Sequence, residues 1–322
     1  MTDKIRRTLA AALAILCLLC AAGSLAEGEG TKVSYRRITI DGMTYLLSST
    51  GAFYEPSAIR VQARSLYKAL ENHPEVKSYV YLVNSSRTVD VQKDVTAVPQ
   101  TYTAIQKWFT DSETDYLRLN SLEDYARYFY TTDHHWNYQG SYAGYRQLVR
   151  MMLGEDEPVL EPVETVEFPV KFNGSMNKSL NLTDSQENFT VYRFDYPEMK
   201  LEINGRKKAS YGNQAAYFAG KYSTMPLANH YSSFYGGEEG LIHLETDRTD
   251  RPNLVMISNS QSNALNLLLA SHFHHTYIID PRHYEDNMDQ KFRLDQAVEE
   301  WDLDMVLILG DGLYFKQNYR YR

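Results

Sequence analysis

What most narrows the fold of this chain is a repeated pattern of short apolar run, tight turn and helical stretch. Leu254-Val255-Met256-Ile257-Ser258 reads as a strand, Asn259-Ser260-Gln261-Ser262-Asn263 as a turn, and Ala264 to Ala270 as strongly helical. Thr276-Tyr277-Ile278-Ile279 is the next strand, leading to Asp280-Pro281-Arg282-His283-Tyr284. Met305-Val306-Leu307-Ile308-Leu309 is the last, before Gly310-Asp311. Upstream, residues 57–72 carry Ile59, Ala63, Leu66 and Leu70 at helical spacing. Val76 to Val83 is a strand, Tyr102 to about Phe109 a helix, Leu117–Leu119 a short strand, and Ser121 the cap of a helix starting at Leu122. Such alternation predicts an α/β fold, a parallel sheet flanked by helices.

Strand, serine-bearing turn and helix together make a nucleophile elbow, which exposes a serine at a strand end. A following helix N-terminus would offer N–H groups to an oxyanion. Ser260 is the candidate, with Ser258 and Ser262 as rivals; the plain alternative is a serine that only caps the helix.

A second stretch, Thr131-Thr132-Asp133-His134-His135-Trp136-Asn137-Tyr138-Gln139-Gly140, packs an acid, two imidazoles and an indole into four positions, just before a helix around Ser141–Val149. In extended backbone side chains alternate, so Asp133 and His135 would face one way and His134 and Trp136 the other. A carboxylate beside an imidazole fixes its tautomer and stabilises its protonated form, half of a Ser-His-Asp site. On this reading His134 and Trp136 are packing residues, sugar stacking by Trp136 being the minor alternative, and the three polar groups cannot face one metal ion. His272, His274 and His275 follow a helix end with no acid among them, so they are not read as a metal site either.

Residues 1–26 look like a targeting segment: Lys4, Arg6 and Arg7, an apolar run from Leu9 to Ala22, and Ser24-Leu25-Ala26 before Glu27. It serves as a cleaved signal peptide or as an N-terminal membrane anchor, which makes the chain extracytoplasmic. Both cysteines, Cys17 and Cys20, fall inside it, so residues 27–322 carry no disulfide or thiolate chemistry. Formal net charge is −8, which argues against a nucleic-acid partner. The 26 tyrosines suit either strand-rich packing or a carbohydrate-facing surface. Residues 33–55 suggest a hairpin with an Asp41-Gly42 turn. About 154–237 reads as a β-rich insertion over the α/β core, with a second hairpin turning at Asn204-Gly205.

Asp133-His134-His135-Trp136, followed by a glycine-containing helix start, resembles the signature of the DHHW proteins, which are similar to the alginate O-acetyltransferase group of SGNH hydrolase-like proteins. Ser258-Asn259-Ser260 and the Ile279-Asp280-Pro281-Arg282-His283-Tyr284 segment resemble further blocks, as do Phe172-Asn173-Gly174-Ser175 and Tyr235-Gly236-Gly237-Glu238; together they span most of residues 78–311. The resemblance implies an SGNH-like fold, Ser260 as nucleophile, His135 as general base and Asp133 as its orienting acid. Gly237, Asn259, Arg282 and Trp136 become candidates for oxyanion or substrate contact, and no metal or other cofactor is implied. It implies O-acetyl transfer to, or removal from, a secreted or cell-wall polysaccharide, with a membrane-bound O-acyltransferase partner as acetyl source. Two positions depart from the pattern: Asn259 stands where Asp is usual, and Glu238 where Asn is expected. Those departures keep open a non-catalytic, polysaccharide-binding or scaffold protein. Arg282 pairing with Asp280 is favoured over Arg282 clamping a substrate anion. Asp-His-His also occurs in manganese-dependent DHH phosphoesterases, but their upstream Asp-x-Asp motif is absent.

Overall fold

The computed structural model describes residues 35–48, 55–85 and 96–322. The targeting segment at 1–26 lies outside them, as do residues 33, 34 and 49–54 of the first hairpin stretch. Twelve strands are described: β1 Tyr35–Ile40, β2 Met43–Ser48, β3 Lys77–Leu82, β4 Glu113–Tyr116, β5 Glu164–Lys171, β6 Asn188–Arg193, β7 Lys200–Ile203, β8 Arg206–Lys208, β9 Leu241–Glu245, β10 Leu254–Ser258, β11 His275–Ile279 and β12 Met305–Gly310.

Eight of them form one sheet in the order β4-β3-β12-β10-β11-β9-β7-β8. The first five run parallel, as the strand–helix alternation requires, and β9, β7 and β8 extend the sheet antiparallel. The sheet is therefore mixed. Alternate residues of the central strands serve two separate cores. Met256, Leu307 and Tyr79 pack with Tyr145, Leu148 and Val149 of helix Tyr138–Leu153. Val255, Val306 and Val80 pack with Ile59, Ala63 and Leu66 of helix Pro56–Ala69 and with Ile105 of helix Gln100–Trp108. Every residue of β10 is buried, which is why that run is continuously apolar rather than alternating. Cutting Ile257 to alanine in such a core costs ~2–5 kcal/mol.

The strand expected at Leu117–Leu119 lies at Glu113–Tyr116 instead. β4 is an edge strand bonded only to β3, where polar side chains are tolerated, while Leu117 and Leu119 are buried in the irregular segment beyond it. Both expected hairpin turns are present. Asp41 and Gly42 have φ of 49° and 79°, and Asn204 and Gly205 of 49° and 71°, the pair of positive angles that a two-residue type I′ turn demands. Within 154–237, β5 and β6 form a separate two-stranded sheet, whereas β7 and β8 join the main one. The same stretch supplies most of an aromatic cluster that includes Phe168, Phe172, Phe189, Tyr217, Tyr231 and Phe234. Among the described residues no helix is long and apolar enough to cross a membrane.

Candidate active site

The stretch from Thr131 to His135 is a run of bends, not a strand. Its ends are tied by a bridge between Phe129 and Trp136 and by the Asn137 N–H donating to the Tyr128 carbonyl at 2.8 Å. Asn137 then caps the next helix, its side chain accepting from the N–H groups of Gln139 and Gly140. Because the backbone curls, the period-two rule fails here. The His134 ring lies 4.0 Å from that of His135, and its Nδ1 is 3.5 Å from Asp133 Oδ1. The expectation that His134 turns away from Asp133 is thus corrected. Ligand atoms of Asp133, His134 and His135 come within 4.8 Å of one another. The expectation that these three groups cannot face one ion is therefore corrected as well.

That bond is short. His135 Nδ1 sits 2.5 Å from Asp133 Oδ1, which also accepts the His135 backbone N–H at 3.1 Å. Asp133 Oδ2 accepts the Ser175 N–H at 2.6 Å. Burial by itself would raise the Asp133 pKa; the His135 ring, the hydrogen bond from it, His134 and the Ser175 N–H together outweigh burial and hold the carboxyl below its usual range. An ionised carboxylate only accepts, so the His135 proton resides on Nδ1 and Nε2 is the acceptor. Ser260 Oγ lies 2.9 Å from that Nε2. Gly174 allows the approach on the acid's side: a Cβ there would come within 2.5 Å of Asp133 Cβ.

Ser260 opens a 3₁₀ turn, Ser260–Ser262, and the α-helix begins only at Asn266. The expected helix from Ala264 is therefore shorter, and no α-helix N-terminus lies at the serine. The turn is held by side chains. Asn259 Oδ1 accepts the Gln261 N–H at 3.2 Å and Asn259 Nδ2 donates to Asp311 Oδ1 at 3.2 Å, so both ends of this amide are committed to local structure. Trp136, fully buried against Gly144, donates its Nε1–H to the Gln261 carbonyl at 2.9 Å; it is a packing residue with no face for a sugar. Ser258 and Ser262 are buried and bonded to each other at 2.7 Å, which leaves Ser260 as the turn serine facing histidine.

Two contributors were not singled out from the sequence. Tyr231, in the short helix His230–Tyr235, stacks on His135 with centroids 3.7 Å apart and planes 5° apart. Its hydroxyl donates to the Ser260 carbonyl at 2.9 Å. Burial pushes its pKa well up, so it stays a donor. Asn263 lines the same small cleft as Ser260 and Gly237, and uses one N–H on the Gly236 carbonyl at 3.1 Å. Neither residue belongs to a periodic pattern that could have marked it, although Tyr231 lies just before the Tyr235-Gly236-Gly237-Glu238 block. Arg282 pairs with Asp280 through Nε at 2.9 Å and Nη2 at 2.6 Å, as favoured from sequence, and its Nη1 is 3.7 Å from Glu238. His272 is buried between Glu157 at 2.9 Å and Tyr145 at 2.7 Å, apart from His274 and His275.

No family model matches the chain, and no characterised protein matches it by sequence. Solved structures do match it. A DHHW family protein from Eubacterium siraeum aligns with a TM-score of 0.63 at 18% identity, covering 88% of this chain and 92% of that one. Bacillus cereus PatB1 aligns with a TM-score of 0.65 at 17% identity, covering 90% and 100%, and a second structure of PatB1, carrying a sulfonyl adduct, with a TM-score of 0.62 at 18% identity, covering 89% and 100%. The chain thus has the fold of a DHHW family protein, the fold that Asp133-His134-His135-Trp136 implies.

Proposed function

We propose that this protein is an exported serine-dependent O-acetyltransferase or acetylesterase acting on a secreted or cell-wall polysaccharide. One observation carries the reading: Asp133, His135 and Ser260 form a continuous hydrogen-bonded array, with the serine hydroxyl 2.9 Å from an imidazole 125 residues away in sequence. That distance lies within the ~2.6–3.2 Å a base needs to take the proton.

In the first half-reaction His135 Nε2 takes the Ser260 proton as Oγ bonds to the acetyl carbonyl carbon. Asp133 stabilises the imidazolium that results. Collapse of the tetrahedral intermediate breaks the bond to the leaving group, which receives the proton back from His135. In the second half, a sugar hydroxyl or water gives its proton to His135 and attacks the acetyl-serine, and Ser260 recovers the proton on release. The Ser260 backbone N–H and the second N–H of Asn263 are the donors we assign to the oxyanion, in place of Asn259. Arg282, spent on Asp280, is assigned no direct role. The acetyl donor in the cell would be a membrane-bound O-acyltransferase partner, and the apolar run at residues 9–22 the export signal or anchor.

The test is reaction with a sulfonyl fluoride, which loses fluoride and leaves a sulfonyl group on its target; a sulfonyl adduct is present in one PatB1 structure. Intact mass should gain one sulfonyl group, mapped to Ser260, and p-nitrophenyl acetate hydrolysis should vanish with it. Ser260→Ala should lower hydrolysis by several orders of magnitude. Labelling elsewhere, or undiminished hydrolysis by Ser260→Ala, would refute the assignment.

A further inference from the structure

The cleft that opens beside Ser260 is charged in a lopsided way. Glu238, Glu239 and Asp280 line it together with Asn259 and Asn263. Among the described residues the cation next to these carboxylates is Arg282, and its guanidinium is already used: two nitrogens bond Asp280 and a third sits 3.7 Å from Glu238. His283 Nε2 lies 3.3 Å from Glu238. Among the described residues, three carboxylates face one guanidinium, an excess of about two negative charges. The Glu238 side chain is 57% exposed, so its charge meets an incoming ligand, whereas that of Asp280 is 11% exposed. Glu239 is held in place by the Asn204 amide at 2.9 Å.

A sugar that presents its hydroxyl to Ser260 must sit against this rim. We propose that the cleft selects its glycan by charge, taking amine-bearing sugars best, neutral sugars next, and turning acidic sugars away. The selection rests on the proposed acetyl-ester function for its biological meaning, but not for its physics, which is that of binding. A ligand carboxylate about 7 Å from two uncompensated charges loses roughly tenfold in affinity at low ionic strength, and an ammonium gains by a similar factor.

The experiment measures binding of three labelled hexasaccharides, chitosan, cello- and polygalacturonate, to the whole protein by fluorescence anisotropy at ~20 mM and ~300 mM salt. The expected order of affinity is chitosan, cello-, then galacturonate. Glu238→Gln should narrow the spread, and so should the higher salt. Equal or stronger binding of the galacturonate would overturn the proposal, as would absence of binding for all three at millimolar concentration. A spread left unchanged by Glu238→Gln would overturn it too, since the preference would then come from the overall charge of −8 and not from the cleft. Hydrolysis of p-nitrophenyl acetate by the same preparation separates the two ideas. Lost hydrolysis with the binding order intact defeats the enzymatic reading alone; intact hydrolysis with the order absent defeats this one alone.

Discussion

Tyr231 should prove to be a positioning residue whose ring matters more for turnover than its hydroxyl does. Two replacements separate the contributions. Tyr231→Phe keeps the stack on His135 and removes only the hydrogen bond to the Ser260 carbonyl. That carbonyl, left under-satisfied, costs about 1–3 kcal/mol of stability. The turn retains its Asn259 and Trp136 anchors, so hydrolysis should fall less than about tenfold. Tyr231→Leu also removes the stacked ring, worth a further ~0.5–1.5 kcal/mol. The imidazole then gains room to tilt off the line between Asp133 and Ser260, and a displacement of about 1 Å at a reacting group can cost roughly a hundredfold. We expect kcat to drop ten- to a hundredfold in Tyr231→Leu with KM little changed. The assays are denaturant melts for stability and p-nitrophenyl acetate kinetics for turnover. A folded Tyr231→Leu protein with wild-type kcat would refute the claim that the stack orients the base. A Tyr231→Phe protein worse than Tyr231→Leu would assign the role to the hydroxyl.

Three further outcomes follow from the geometry. Gly144→Val should destabilise by about 1–3 kcal/mol, because even a Cβ at Gly144 overlaps the Trp136 ring; a thermal melt within a degree of wild type would contradict it. Half-buried Glu187 accepts two hydrogen bonds from Thr131, yet burial outweighs them and lifts its pKa from 4.5 to about 7. The native state therefore favours the neutral carboxyl: its contribution is complete below pH ~4.5 and is lost as pH rises through about 7, a change of about 3 kcal/mol at ~1.4 kcal/mol per pH unit. Glu187→Gln should remove that slope between pH 5 and 8, and parallel wild-type and variant curves would disprove it. EDTA should leave ester hydrolysis unchanged, while added Zn²⁺ should inhibit by drawing His135 Nδ1 away from Asp133; activity lost to EDTA and restored by zinc would favour metal-assisted hydrolysis.

Local patterns in the sequence carried the parallel part of the sheet, because β3, β10, β11 and β12 are apolar runs bounded by turns. They also carried the glycine-bearing hairpin turns, where the residue types and the positive φ angles agree. Asp133 and His135 were legible as a pair because they are two residues apart. Polar edge strand β4 was misplaced since it borrows its stability from β3 and not from its own side chains. His134 was misjudged for a related reason: alternation is a property of strands, and a bridge between Phe129 and Trp136 forces that segment to curl. Tyr231 touches Ser260 across 29 residues and could not be found by spacing, and Asn263 acquires its place only because Gly236 comes to meet it.

The order of β10 within the sheet has a consequence for biosynthesis. β10 lies between β11 and β12, both of which follow it in the chain, and β12 alone joins it to β3. A nascent polypeptide stopped between Ser260 and Met305 therefore carries Asp133, His135 and Ser260 without the strand that seats the serine turn among its neighbours. The base-bearing loop emerges early and waits. On the proposed function, the Ser260 turn would be seated for chemistry only once β12 has joined β10 to β3.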